Sequence, residues 1–225
     1  MSYLIWGFVS SAFFLASIPA ICHQLVVINR RKKLIKQGMI PTAHEGEGAT
    51  HSIAVNQIFA SFAGVYSFLL FGLVLDSPDP FLVYPRAVVA TLLFLILVEL
   101  HRDRNDRATA IALGISSVSL GILFVILALG IRTVNSVQRS SEIVVLAATV
   151  LMAHGAYAQY RLLRRNQARG AVSLPMHATL YLKDFTGMMF GFQIGWSAWS
   201  IILMHLSNLV MRAPIIYQYL KLSKS

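Results

Sequence analysis

The chain has 225 residues, of which 56% are hydrophobic and 12% are charged, and its mean hydropathy is +0.66. Soluble domains have about 25% charged residues, so this composition excludes an ordinary soluble protein and predicts an integral membrane protein. A single cysteine, Cys22, excludes an intramolecular disulfide and a zinc site built from cysteines.

Seven apolar stretches are long enough to cross a bilayer, for which about 17–25 residues suffice. The last two belong to one apolar block with a turn near Gly195, so a six-span interpretation also stays open at this point. In chain order the predicted spans are Tyr3–Ile28, Ser52–Leu75, Phe81–His101, Ala108–Ile131, Glu142–Leu163, Pro175–Gln193 and Trp196–Leu220.

Lysine and arginine are distributed unevenly among the connections. Arg132 and Arg139 lie on one predicted side of the membrane, and 14 of the 19 basic residues lie on the other. By the positive-inside rule, this places the N-terminus outside or in a lumen and the C-terminus in the cytosol. Because topology accounts for the net charge of +10, a nucleic-acid partner is not expected. The 14 residues are Arg30, Arg31, Lys32, Lys33, Lys36, Arg102, Arg104, Arg107, Arg161, Arg164, Arg165, Arg169, Lys221 and Lys224.

The lengths of the connections repeat along the chain. Long basic loops, Asn29–His51 and Arg161–Leu174, join spans one and two and spans five and six. Short turns join spans two and three, at Asp76–Pro80, and spans six and seven. This pattern predicts an all-α membrane protein of two parallel three-helix repeats joined by a linker helix, a 3+1+3 arrangement found in transporters. The predicted units are residues 1–107, 108–139 and 140–225.

Four segments resemble the PQ-loop family of membrane proteins, which includes the SWEET sugar carriers and the cystinosin-type carriers. His23–Met39 and Ala158–Ser173 each resemble the family's glutamine followed by a basic run and a glycine. Asp184–Gly187, Asp-Phe-Thr-Gly, is similar to the motif that cystinosin-type carriers have on the helix after their second loop. Arg86–Thr91 resembles the start of that subfamily's third helix. The resemblance implies the 3+1+3 fold and a transport function.

The two Pro-Gln dipeptides that give the family its name are incomplete in this chain. His23 and Ala158 stand where the prolines are expected, and each is followed by the glutamine. The resemblance implies that these glutamines flank hinges of a cytosolic gate, whereas a glutamine at a helix end taken alone is expected to be solvated. The predicted hinge or gate residues are Pro19, Gln24, Gln159 and Pro214.

Asp184 is the main candidate functional residue. A charged side chain at membrane depth costs roughly 2.5–3.5 kcal/mol and is retained where it faces a polar cavity, a partner or a transport path. The resemblance to cystinosin-type carriers implies that Asp184 is the proton-coupling acid. The alternative is a carboxylate near the cytosolic end of the span, neutralised by Lys183 or by reaching the headgroups. Adjacent helical residues diverge by about 100°, so we expect Lys183 and Asp184 not to share a face.

Ser61, Lys183 and Asn208 are the predicted substrate contacts, and each has a structural alternative. Lys183 suits an interfacial anchor as well. Asn208 is four residues from Arg212 and shares its face; the alternative is hydrogen bonding between helices. Ser61 is placed at the position of span two that corresponds to Thr186 in span six, and its alternative is close helix packing.

The spacings typical of metal sites, nucleophile elbows and nucleotide-binding loops are absent from the sequence, so we expect neither a metal, a cofactor nor enzymatic activity. Glu99 and His154 are interpreted as isolated ionisable groups on apolar helices.

The sequence supports three hypotheses of function. The first is a proton-coupled transporter that exports a small amino-acid-like solute from an acidic organelle, lysosomal or vacuolar, with the bilayer, solute and protons as partners. The second is a SWEET-like uniporter of a sugar or other neutral solute. The third is a non-transporting receptor or assembly protein; the KDEL receptor, another member of the PQ-loop family, is an example. Substrate identity and oligomeric state stay open.

Overall fold

The computed structural model describes residues 2–39, 48–74, 80–129, 137–195 and 199–222. Within these residues the chain forms seven α-helices and no strand, which confirms the all-α, seven-helix prediction. The helices are α1 (Ser2–Lys36), α2 (Val55–Val74), α3 (Pro80–Arg104), α4 (Arg107–Leu129), α5 (Val137–Asn166), α6 (Leu174–Ile194) and α7 (Trp199–Lys221).

Several predicted features lie outside this description. They are residues 76–79 of the turn between spans two and three, Arg132, Lys224 and the side chain of Arg139. The limits of the three predicted units stay predictions, with α5 beginning at Val137.

The six-span interpretation is wrong, because the last apolar block forms two helices. α6 ends at Ile194, and Gly195 follows it with a φ of 96°. Glycine adopts a positive φ without the steric penalty that a Cβ imposes, so this residue allows the chain to leave the helix within one position.

By length and composition, four helical segments within the described residues are apolar enough to cross a membrane. They are Leu4–Lys36, Val83–Arg104, Arg107–Val125 and Trp199–Lys221. A shorter apolar helical segment, Val55–Leu70, belongs to α2. These segments support the multi-pass membrane architecture.

The helices pack as two equivalent sets of three. In the first set α3 packs against α1 and α2, which do not contact each other within the described residues. In the second set α7 packs against α5 and α6, which likewise make no helix contact with each other in that part of the chain. The sets meet through α1 against α6 and through α2 against α5, the pairs that a two-fold axis would exchange. The linker α4 packs on α2 and α3, so the 3+1+3 arrangement is present.

Gln24 of α1 is buried and binds the loop that enters α6. Its Nε2 donates to the carbonyl of Ala171 at 2.5 Å, and its Oε1 accepts from the N–H of Ser173 at 2.8 Å. Ser173 is in turn the N-cap of α6, with a side chain that accepts from the N–H of Met176. One glutamine therefore fixes the start of a helix in the other repeat.

Gln159 of α5 makes the equivalent pair of bonds in the opposite direction. Its Nε2 donates to the carbonyl of Ser52 at 2.8 Å, and its Oε1 accepts from the N–H of Ala54 at 2.6 Å. Both glutamines are buried, so the expectation of a solvated side chain is wrong. The two acceptor residues, Ser52 and Ala171, are 119 residues apart, and they also bond to each other.

This separation of 119 residues corrects the predicted register between α2 and α6. It matches Thr186 with Ser67 rather than with Ser61. Both matched hydroxyls donate to the carbonyl four residues earlier, Ser67 to Ala63 at 2.7 Å and Thr186 to Leu182 at 3.1 Å. The loop contacts define this register, whereas the sequence alone offers several small polar residues to align.

Glu99 belongs to an ionic network between the ends of α1 and α3, so its interpretation as an isolated group is wrong. Lys32 Nζ lies 2.7 Å from Glu99 Oε2 and 4.0 Å from Asp103 Oδ1. Arg102 Nη1 lies 3.1 Å from the other oxygen of Glu99. Two acidic residues and the basic run of α1 therefore meet at one end of the first repeat.

The same end of α3 binds the loop that enters α2. The N–H and hydroxyl of Thr50 both donate to Asp103 Oδ2 at 2.7 Å. The guanidinium of Arg104 donates to the carbonyls of Thr50 and Ile53. Together with Lys32, Glu99 and Arg102, these residues are called below the α1–α3 network.

Candidate functional site

Asp184 lies halfway along α6, where that helix packs against α7. Its carboxylate is 0% exposed to solvent. Gly187, the last residue of the Asp-Phe-Thr-Gly motif, makes room for a partner from α7. A Cβ at this position would clash with Nε2 of His205. Glycine therefore allows the His205 ring to approach α6 one turn from the carboxylate.

Three basic side chains contact the Asp184 carboxylate. Nδ1 of His205 and Nζ of Lys183 each lie 3.0 Å from Oδ1. Nε of Arg212 lies 3.2 Å from Oδ2. We call these four residues the Asp184 cluster. Both oxygens of a buried carboxylate thus have charged or titratable partners, as buried ions require.

Lys183 and Asp184 were expected not to share a helix face, and the alternative for Asp184 was neutralisation by Lys183; the structure contains the contact of that alternative. Their backbone positions diverge on the helix, yet the ammonium group reaches the neighbouring carboxylate at 3.0 Å. The four-carbon stem of lysine spans this distance, whereas the helical-wheel argument considers backbone direction alone. Lys183 Nζ also lies 5.8 Å from the ring centroid of Phe14, where a cation is attracted to the aromatic face.

Arg86 of α3 adds a further cation beside the cluster. Its guanidinium carbon lies 4.6 Å from the ring centroid of Phe14 and 5.6 Å from that of Phe68. Phe14 thus contacts a cation from α3, Arg86, and a cation from α6, Lys183.

Three buried nitrogen atoms near this cluster lack a hydrogen-bond partner among the described residues. They are Nη1 of Arg212, Nδ2 of Asn208 and Nδ1 of His177. Asn208 and Arg212 are four residues apart on α7, as the sequence predicted, and neither is solvated. The interhelical hydrogen bond offered as an alternative for Asn208 is not formed by its side-chain nitrogen.

The structure brings together some of the predicted residues and separates others. Lys183 belongs to the Asp184 cluster, and Asn208 lies on the face of α7 that also presents Arg212. Ser61 is buried in α2, which makes no helix contact with α6 or α7 within the described residues. His154 is exposed on α5.

The predicted hinge residues have different surroundings. Gln24 and Gln159 bind the loops that enter α6 and α2, as described above. Pro19 lies exposed inside α1, and Pro214 lies two residues after Arg212 inside α7. A proline inside a helix removes one backbone hydrogen bond and favours a bend.

The sequence analysis missed His205 and His177. Two spacings could have indicated them. His205, Asn208 and Arg212 follow each other at three and four residues on an apolar helix, which places them on one face. His177 precedes Asp184 by seven residues, which is about two helical turns. Polar residues at helical spacing inside a span therefore indicate a polar face of that helix.

Two apolar cavities of about 410 Å³ and 310 Å³ lie elsewhere in the bundle. Phe192, Trp199 and Leu206 are among the residues that line the first, and Leu69, Tyr84 and Leu127 are among those that line the second. Neither cavity is lined by a member of the Asp184 cluster. Asp184 and its partners are instead packed between α6 and α7, with Asp184 itself 0% exposed.

No family model and no curated protein matches the chain. Among solved structures, it is similar to a eukaryotic SWEET transporter determined at 3.7 Å resolution, with a TM-score of 0.59 and 13% sequence identity. The match covers 100% of this chain and 98% of that chain. This likeness shows the seven-helix fold.

Proposed function

We propose that the chain is a proton-coupled transporter of a small amino-acid-like solute, with Asp184 as the proton-coupling acid. The principal support is the fully buried position of Asp184 halfway along α6, in contact with a histidine, a lysine and an arginine. Buried ionic groups destabilise a fold unless they are well paired, and inside membranes they are typical of ion and solute pathways. The fold likeness to a SWEET transporter also supports a carrier.

His205 provides a group that can exchange protons with Asp184. The unperturbed pKa of histidine is about 6.5, nearer to neutral than that of other side chains. Because His205 Nδ1 lies 3.0 Å from Asp184 Oδ1, a proton can pass between the two side chains. The charged groups that face this pair are Lys183 on α6, Arg212 on α7 and Arg86 on α3.

Access to the buried cluster requires the two repeats to move relative to each other. They contact through α1 against α6 and α2 against α5, and Gln24 and Gln159 bind the loops at one end of these contacts. We assign the glutamines to the gate at that end, and Pro19 and Pro214 to bends in α1 and α7. The proposed substrate contacts are Lys183 and Asn208.

The uneven distribution of lysine and arginine supports an orientation with the N-terminus in a lumen and the C-terminus in the cytosol. For a carrier driven by protons, an acidic organelle of the lysosomal or vacuolar type is the compartment we propose, with solute moving toward the cytosol.

Electrophysiology on a solid-supported membrane tests this function. Purified protein in liposomes is exposed to a panel of amino acids and sugars at about pH 5 and about pH 7, which bracket the histidine pKa. We expect a current for at least one amino acid that is larger with the acidic side at the lower pH and that is lost in Asp184→Asn. Glu99→Gln, in the α1–α3 network, serves as the control that keeps the current.

A SWEET-like uniporter of a neutral solute is the second candidate, and the fold likeness favours it specifically. It predicts sugar uptake that is independent of pH and persists in Asp184→Asn. Uptake with these two properties would replace the proton-coupled proposal. If no solute of the panel moves, a receptor or assembly function takes its place.

A further inference from the structure

The unpaired nitrogens beside the Asp184 cluster indicate what the site binds. Arg212, Asn208 and His177 are 4%, 2% and 2% exposed, so water on the protein surface does not solvate them. Each has a side-chain nitrogen without a partner among the described residues. A buried donor left unpaired costs folding free energy. Nη1 of Arg212 and Nδ2 of Asn208 can only donate, and Nδ1 of His177 donates in its Nδ1–H tautomer, so the three groups favour a ligand that supplies hydrogen-bond acceptors.

The three residues lie on the same side of Asp184. His177 and Asp184 are about two turns apart on one face of α6, and Asn208 and Arg212 are about one turn apart on one face of α7. The His205 ring meets Gly187, on the C-terminal side of Asp184 in α6. Arg212 lies about two turns further along α7 and contacts the same carboxylate, so it lies on the side of Asp184 that faces His177.

The charges of the site favour an anion. With His205 neutral, Lys183 and Arg212 give the Asp184 cluster one positive charge more than Asp184 balances. A solute without a charged group leaves this excess uncompensated, whereas a carboxylate group beside Arg212 neutralises it. Nε of Arg212 is occupied by Asp184 and Nη1 is not, so the guanidinium can bind a second carboxylate.

We infer that Arg212, Asn208 and His177 form a subsite for the carboxylate group of the transported solute. This inference rests on the proposed transport function and narrows its substrate class to small monocarboxylates, amino acids included. Sugars lack the group that the subsite binds.

The subsite also provides a physical route to proton coupling. A solute carboxylate at Arg212 competes with Asp184 for the same cation. Asp184 then has less positive charge around it, and its protonation becomes less costly. The bound carboxylate therefore raises the proton affinity of Asp184, and by thermodynamic linkage the bound proton raises the affinity for the carboxylate by the same factor. A proton that crosses with a simple carboxylate anion moves no net charge, whereas a proton that crosses with a zwitterionic amino acid moves one positive charge.

Thermal unfolding of the detergent-purified protein tests the subsite with three probes. L-lactate and L-alanine have a carboxylate, while methyl L-lactate has the skeleton of lactate with the charge removed. We expect L-lactate and L-alanine to raise the unfolding temperature, because a ligand that binds the folded state stabilises it. Methyl L-lactate is expected to produce no shift. Equal shifts for lactate and its methyl ester, or no shift with either carboxylate, overturn the subsite.

Asn208→Leu separates this function from a structural role. Leucine has a branched side chain like that of asparagine but lacks its unpaired polar nitrogen. The variant without ligand should therefore unfold at a higher temperature than the wild type. Its affinity for L-lactate should fall about tenfold, the loss expected for one hydrogen bond to a charged group. The control is Ser116→Ala in α4, whose hydroxyl is also buried and unpartnered within the described part of the chain. It should raise the unfolding temperature and leave lactate affinity unchanged. An Asn208→Leu protein that is destabilised and binds lactate normally overturns the inference.

A flux assay in liposomes distinguishes the two levels of the proposal. If lactate binds with the predicted variant effects but no lactate flux is measured, the subsite is supported and the transport proposal is rejected. Glucose flux together with equal binding of lactate and methyl lactate leaves transport in place and rejects the subsite.

Discussion

The two three-helix repeats have the same pattern of helix contacts and place their ionic side chains at different depths. In the first repeat, the α1–α3 network lies at the ends of the helices, next to the loop that enters α2. In the second repeat, the Asp184 cluster lies in the middle of α6 and α7. At the register of 119 residues, Val65 and Gly64 of α2 take the places of Asp184 and Lys183.

This difference indicates a division of roles between repeats of one architecture. Ionic groups at helix ends are partly solvated, and such pairs stabilise a fold weakly. Ionic groups at mid-depth are costly to bury, and their retention favours a role in function over one in stability. We therefore infer that the first repeat has mainly a structural role and that the ionic groups of the second repeat have a functional one. The following predictions test this comparison, from the largest expected effect to the smallest.

Asp184→Asn should lower the free energy of unfolding by about 3–5 kcal/mol, because it leaves Lys183 and Arg212 buried without a counter-charge. Glu99→Gln in the α1–α3 network should cost about 1 kcal/mol or less. Denaturant or thermal unfolding in detergent measures both. Adding Lys183→Met to Asp184→Asn should recover part of the loss, since it removes one unpaired cation. Equal costs for the two carboxylates would contradict the division between the repeats.

Gly170→Ala should destabilise the protein by about 2–3 kcal/mol, combining left-handed backbone strain with a steric clash. Gly170 has a φ of 54°, and a Cβ there would clash with Ser52 Oγ, at the contact between the repeats. Gly38→Ala is the matched control, with a φ of 69° and nothing within 4 Å of the added Cβ. The control should cost about 1 kcal/mol, from strain alone. Unfolding free energies that do not differ between the two variants would show that the loop contact is unimportant.

Gln24→Leu and Gln159→Leu should each cost about 2 kcal/mol, because each leaves a buried backbone N–H and a carbonyl without their partner. The two repeats use these glutamines in the same way, so the unfolding free energies should fall by similar amounts. If one substitution leaves the free energy of unfolding unchanged and the other lowers it strongly, the two glutamines do not contribute equally to stability.

Asp106→Ala should have the smallest effect, about 1 kcal/mol at neutral pH. Asp106 precedes α4 and is exposed, and its Oδ1 accepts from the N–H of Thr109 at 2.7 Å. This hydrogen bond lowers the pKa of Asp106 below its usual value. The stabilisation is therefore present above the unfolded-state pKa and is lost as the pH falls through the lowered pKa. The difference in free energy of unfolding between wild type and variant should shrink as the pH is lowered through the acidic range. A difference that grows toward low pH would contradict this prediction.

The sequence was sufficient to predict the helix count, the repeat pattern and the location of Asp184 inside an apolar helix. Apolar length determines spans directly, and a carboxylate in an apolar helix is conspicuous. The partners of Asp184 could not be predicted in the same way, because they depend on how closely α6 and α7 approach at Gly187. The contact of Lys183 with Asp184 appeared in the sequence only as an alternative, because helical angles describe backbone direction and not the reach of a lysine side chain. The bonds of Gln24 and Gln159 join residues more than a hundred positions apart, which no local pattern encodes.

The central claim is that Asp184 takes up a proton as solute enters. A pH-sensitive dye enclosed in proteoliposomes measures this most directly, with inward gradients of L-alanine or L-lactate applied to wild type and to Asp184→Asn. The account predicts acidification of the liposome interior in wild type and none in Asp184→Asn, even where solute exchange persists in the variant. Acidification of equal rate and extent in both proteins would contradict it.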